Sequence, residues 1–147
     1  MPNGGLIKRL NLTVKYLKSI PSLMGYSASW QHRVSNLKRK VKNMTTKFTF
    51  FIGLNDKDAH VQKLDAMAAA NVITHIFKNH NCDMTLSSGQ GVYTHADGTI
   101  VIENTIVVTV YQFGDAIDVS AICDEIKVAL NQESVAVERS EVDSRLY

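Results

Sequence analysis

The feature that most constrains this chain is the stretch SSGQGVYTHADGTIVIENTIVVTVYQF, Ser87 to Phe113. Two long runs rich in β-branched and aromatic residues flank an Ala-Asp-Gly triplet, Ala96 to Gly98, whose glycine supplies the positive φ a tight hairpin needs. A hairpin this long is stable only as part of a wider sheet with one apolar face covered. Glu103 interrupts that pattern among Ile102, Ile106, Val107 and Val108. Burying a lone carboxylate costs several kcal/mol, so Glu103 must face water, meet a partner, or serve a ligand.

The flanking segments supply the rest of a fold. KFTFFIGL, residues 47–54, has the composition of a strand that ends at Gly53, with Phe48, Phe50, Ile52 and Leu54 on one face and Thr49 and Phe51 on the other. Asp56 and Asp58 are candidate caps for a helix over about 58–79, with Val61, Leu64, Ala68, Val72 and Ile76 at helical intervals. After Phe113, GDAIDVSAICDEIKVALNQ has the helical period, with Asp118 or Ser120 as cap and Ile122, Ile126, Ala129 and Leu130 turned inward. SVAVERSEV supplies a last strand.

The resulting order, β-α-β-β-α-β, predicts an α+β ferredoxin-like sandwich of the PII-like kind: a four-stranded antiparallel sheet with two helices on one face. In the third strand Ile102, Ile106, Val108 and Val110 fit the covered face, with Asn104 as an exception. Glu103, Thr105, Val107, Thr109 and Tyr111 then form a mixed face, suited to assembly or ligand contact.

Length and composition set outer bounds. At 147 residues, 45% apolar and 20% charged, the chain has the make-up of one soluble domain with a tail, and no apolar run approaches a membrane span. A formal charge of +2 conceals an asymmetry: residues 1–47 hold ten Lys or Arg and no acid, whereas the remainder holds six basic and fourteen acidic residues. The leader LIKRLNLTVKYLKSIPSLM places Leu6, Leu10, Val14, Leu17 and Ile20 at helical spacing among lysines, which is a basic amphipathic pattern ended by Pro21. Its lysines break up the apolar core that a secretory signal needs. Met44 runs straight into the first strand, so we expect residues 1–44 to be a basic extension, loosely ordered and dispensable, ahead of a domain spanning 45–147. The alternative is that the leader itself binds nucleic acid or membrane, with the strong salt dependence such contacts carry.

Cys82 and Cys123 lack any short spacing, so neither a disulfide framework nor a zinc ribbon is expected, and a reducing cytoplasm is the default location. His80 and Cys82 form only a lone His-x-Cys, and we assign no metal ligand.

Loop length decides which residues join Glu103. An odd loop puts Tyr93 and Glu103 on one face of the hairpin, and a two-residue turn puts them on opposite faces. A three-residue loop with glycine in its left-handed position is the expectation adopted. Tyr93, His95, Glu103 and Thr105 then gather on the mixed face beneath a flexible Ser87–Gly91 segment, whose Ser88, Gly89, Gln90 and Gly91 main chain offers amides to a carboxylate or phosphate. No lysine-serine or lysine-threonine follows, so this is not a Walker loop. Blander assignments stand beside these: Tyr93 as a half-buried strand aromatic, His95 as a solvated turn residue, Glu103 as half of an interfacial ion pair.

The segments KFTFFIGLND and SSGQGVYTHADGTIVIENTIVVTVY, with the short closing strand, resemble the bacteriophage S-adenosylmethionine lyases, formerly described as hydrolases. The resemblance covers about residues 45–147 and rests on Gly-x-Gly-x-Tyr, a turn glycine, then a glutamate in the next strand. It implies a homotrimer with active sites between subunits, acting in the host cell cytoplasm. The implied activity cleaves S-adenosylmethionine to 5′-methylthioadenosine and homoserine lactone without metal or cofactor, depleting the methyl donor used in host restriction and modification. Tyr93 and Glu103 match the family's functional tyrosine and glutamate, and Thr49, Phe51 and residues 87–91 become candidates for adenosine or carboxylate contacts. A non-catalytic PII-like trimer that binds an adenine nucleotide is the competing expectation.

Overall fold

The computed structural model describes residue 25 and residues 27–42 and 44–146. The helical pattern read over residues 6–20 lies outside them. Seven elements follow in order: α1 (Ala28–Lys42), β1 (Met44–Gly53), α2 (Ala66–Asn79), β2 (Thr85–Thr94), β3 (Ile100–Gln112), α3 (Val119–Leu130) and β4 (Ala136–Asp143). The strands form one antiparallel sheet in the order β2-β3-β1-β4. This is the split βαβ arrangement, in which β3 lies between β1 and β2 and runs antiparallel to both. The described residues fall into two compact units, Thr45–Val142 and a second that holds α1. That helix was not anticipated from the sequence.

The core lies between the sheet and α2 and α3. Phe48, Phe50, Ile52 and Leu54 of β1 and Ile106, Val108 and Val110 of β3 pack against Ala69, Ile73, Ile76 and Phe77 of α2 and Ile122, Ile126 and Leu130 of α3. Phe50 and Phe77 meet edge to face with centroids 5.0 Å apart. Each such side chain contributes about 1.5–3 kcal/mol through burial.

Several boundaries differ from the sequence expectation, each for a local reason. β1 begins at Met44 rather than Lys47. α2 begins at Ala66 rather than near Asp58, because the Asp56 carboxylate accepts the Asp58 and Ala59 amides at 3.0 and 2.9 Å and folds a turn there. His60, at φ 56, continues that turn in the left-handed region, and Asp65 is the working N-cap, accepting from the Ala68 amide at 2.8 Å. Val61 and Leu64 are consequently exposed. Asp118 caps α3 as expected, accepting from the Ala121 amide at 3.0 Å, but Ala129 faces outward. Ile102 is also corrected: it is 58% exposed, since with Val92 and Ile100 it extends along the hairpin beyond the buried core.

The hairpin loop has three residues. The Gly98 amide donates to the His95 carbonyl and the His95 amide to the Thr99 carbonyl, both at 2.9 Å, with Gly98 at φ +88. A type I turn closed by a left-handed glycine is the result.

Candidate functional site

With that loop, β2 and β3 pair so that Gly91 faces Glu103, Tyr93 faces Val101 and Gly89 faces Thr105. The β1–β3 register adds Gly53 opposite Thr105 and Phe51 opposite Val107. Strict alternation therefore puts Phe51, Gly53, Gly91, Tyr93, Glu103 and Thr105 on the sheet face away from α2 and α3.

Glu103 leans across the sheet toward the end of β1. Its Oε2 accepts the Asn55 amide at 3.1 Å, and its carboxylate lies over Gly53, where a methyl group would collide with it. On the other side, a methyl at Gly91 would lie 2.7 Å from Thr105 Oγ1. Two glycines thus clear room around the only carboxylate of β3. Among the described residues Oε1 accepts no hydrogen bond, and no Lys or Arg pairs with Glu103. Within the chain the partner of Glu103 is a backbone amide, and its second oxygen is not engaged among the described residues.

Asn104 acts on the opposite face. Its Nδ2 donates to Gln62 Oε1 at 2.6 Å, while its carbonyl accepts the Leu54 amide at 3.0 Å. Glu103 and Asn104, adjacent in β3, therefore both hold the chain just after β1, at Asn55, Leu54 and Gln62.

Tyr93 lies diagonally from Glu103 and packs edge-on against the His95 ring, with centroids 5.4 Å apart. Partial burial, reinforced by Glu103 and then Glu133, pushes its phenol pKa above the ordinary value of 10.0. Near neutral pH it is a hydroxyl donor.

The remaining sequence candidates divide. Thr105 belongs to this cluster, and Phe51, 40% exposed, borders it. Thr49 shares the face but is buried four residues from Gly53, about 13 Å along the strand. Ser88 and Gln90 pair with Ile106 and Asn104, so their side chains project from the opposite face to Glu103. Ser87–Gly91 is a regular part of β2 and not a flexible loop. As β2 is an edge strand, its main chain has a neighbour on one side only. The flexible-loop reading failed because two glycines resemble a turn in sequence, whereas thirteen-residue β3 holds this segment in register.

Sequence reasoning missed Gly53 as a clearing residue, the Asn55 amide, Gln132 and Glu133. Gln132 Nε2 donates to the Asn55 carbonyl at 2.7 Å from 77 residues away. Only Gly53 left a sequence signal, as a glycine at a strand end. His80 Nε2 is bonded to Glu125 Oε1 at 2.8 Å, and burial raises the pKa of both cysteine thiols. No cluster of three His, Cys, Asp or Glu among the described residues is arranged to hold a metal ion. A shallow hollow lined by Leu54, Asp56, Lys63, Leu64, Ala69 and Leu130 lies on the helix side, away from Glu103. No helix among the described residues is long and apolar enough to cross a membrane.

No family model matches the chain, and no curated protein matches it. Two solved structures are similar to it. One is a phage SAM lyase in the apo state, at 21% identity and a TM-score of 0.50, covering 71% of this chain and 94% of that one. The other is a phage SAM lyase in complex with S-methyl-5′-thioadenosine, at 21% identity and a TM-score of 0.49, covering 70% and 92%. At this identity the likeness is one of architecture. The chain therefore has the α+β fold of the phage SAM lyases.

Proposed function

We propose that this protein is a lyase that cleaves S-adenosylmethionine to 5′-methylthioadenosine and homoserine lactone. The observation that carries the reading is the Glu103 carboxylate, held by one oxygen on the Asn55 amide above Gly53, with the other oxygen accepting no bond among the described residues, on the sheet face away from α2 and α3 where Tyr93 lies diagonally across the strand pair. The shared fold raises the expectation without establishing the chemistry.

In the reaction, a carboxylate oxygen of the substrate attacks its own γ carbon and closes a five-membered lactone. The γ carbon–sulfur bond breaks, and its electron pair returns to sulfur, which becomes the neutral thioether of methylthioadenosine. Nucleophile and leaving group are both already in the substrate, so the reaction as written uses no cofactor, metal or activated water. The protein's task is to hold the folded conformer, where effective molarity supplies several kcal/mol. Opposite charges vanish as the bond forms, so exclusion of water favours the step. Glu103 anchors the substrate's cationic portion or a ribose hydroxyl, and Tyr93 directs the attacking carboxylate through its O–H. Assembly as a trimer would close this face over the substrate. In a phage-infected cell the activity would deplete the methyl donor of restriction and modification systems.

Proton NMR of S-adenosylmethionine incubated with the purified protein tests this directly, beside Glu103→Gln, Tyr93→Phe and a no-enzyme control. Prompt methylthioadenosine with homoserine lactone, lost in Glu103→Gln, is the expected result. Homoserine without a lactone stage would indicate hydrolysis. Saturable binding without any product would replace the lyase with a PII-like nucleotide-binding module.

A further inference from the structure

We infer that Gln132 is a positioning residue for Glu103, acting through the main chain of Asn55; its catalytic consequence rests on the function proposed above. The Asn55 backbone is gripped on both sides. Its N–H donates to Glu103 Oε2 at 3.1 Å, and its C=O accepts from Gln132 Nε2 at 2.7 Å. The two groups belong to successive peptide units joined at one α-carbon, so fixing the carbonyl restricts the rotation that would turn the amide away from Glu103.

Gln132 is itself anchored. It follows Asn131, which ends α3 at φ 48, a left-handed conformation that asparagine tolerates better than most side chains. Asn131 Nδ2 donates to Asp56 Oδ2 and Asp58 Oδ2 at 3.0 and 2.8 Å, and its carbonyl accepts the Lys57 amide at 3.0 Å. Asp56 is buried and paired with Lys63 at 2.7 Å. Gln132 also donates to the Leu130 carbonyl at 3.2 Å, which ties its amide to the helix end. The C-terminus of α3 is thus latched to the exit of β1, and through Asn55 it sets where the Glu103 carboxylate sits. Gln132 makes no hydrogen bond to Glu103 or Tyr93 themselves; its amide bonds to the Asn55 and Leu130 carbonyls.

The test reads the Asn55 amide by ¹H–¹⁵N NMR during a pH titration of the full chain, without substrate. In the parent protein its proton shift should follow ionisation of the bonded carboxylate, and Glu103→Gln should flatten that response, which separates it from effects of Tyr93, His95 and Glu133. Gln132→Met, of similar length but without a donor, should lose more than half of the amide response and lower kcat about tenfold or more, with KM changed less than about twofold. Gln132→Lys, which restores a donor, should recover much of both. A full Asn55 response in a folded Gln132→Met protein would overturn the inference, as would parental kcat in that variant. Absence of turnover by the parent protein would remove the lyase reading, while the amide titration still decides whether Gln132 positions Glu103.

Discussion

The two faces of the central sheet are built from the same strands by opposite rules. On the covered face, Phe48, Phe50, Ile52, Ile106, Val108 and Val110 are buried, and the requirement on each is to be apolar and of suitable size. On the other face, Gly53, Gly91, Glu103 and Thr105 meet through close approach and hydrogen bonding, and the requirement is a specific atom or the lack of one. The first face holds the domain together and tolerates conservative repacking. On the second, Thr45 and Thr49 are buried too, but around Glu103 a single methyl group, at Gly53, would meet the carboxylate. On the function proposed here, the alternation of the strand separates stability from chemistry, one residue at a time.

The largest effects expected are those that break this contrast. Phe50→Ala, at a fully buried position edge-on to Phe77, should cost about 3–5 kcal/mol in urea unfolding. Phe51→Ala, one residue along and 40% exposed, should cost about 1 kcal/mol or less. Comparable losses at the two positions would mean that the second face is a core in its own right. Glu103→Gln should reverse the pattern: unfolding within about 1 kcal/mol of the parent, with turnover reduced about a hundredfold or more.

Gly53→Ala is the intermediate case. Its methyl meets the flexible end of Glu103, so the fold should survive while the carboxylate leaves the Asn55 amide. A tenfold fall in kcat, about 1.4 kcal/mol in the barrier, is the expected outcome of steady-state assays.

Acid titration probes the latch beneath both faces. Lys63, then Asn131 and the Ala59 and Asp58 amides, hold the Asp56 carboxyl well below its ordinary value of 3.8. A depressed folded value gives stability that is fully present above the unfolded value and is lost as pH falls toward the folded one. Unfolding midpoints of the parent should therefore drop more steeply below about pH 4 than those of Asp56→Asn, which should be the less stable protein at neutral pH. Parallel pH profiles would show that the ion pair with Lys63 has no part in folding. The smallest effect belongs to Ser88→Ala and Gln90→Ala, whose side chains face away from Glu103: turnover should stay within about twofold of the parent.

Much of the architecture was legible because it depends on local pattern. Alternation identified β1 and β3 and their covered face, the helical period identified α2 and α3, and Gly98 marked a three-residue loop. That loop by itself put Tyr93 on the face of Glu103. Errors came where hydrogen bonding overrides periodicity. Asp56 resembles a helix cap, yet its bonds to Asp58, Ala59, Lys63 and Asn131 commit it to a turn, and α2 waits for Asp65.

By itself the sequence determined the order of elements, the sheet face that α2 and α3 cover, and the placing of one carboxylate on the opposite face. Those follow from side-chain alternation and turn chemistry, which act over a few residues. The tertiary structure alone decided what Glu103 meets. Its amide donor, Asn55, lies 48 residues before it, and the glutamine gripping Asn55 lies 77 residues after Asn55, separations that only strand register and helix packing close. No local pattern encodes a contact of that kind, because its geometry is a property of the assembled sheet.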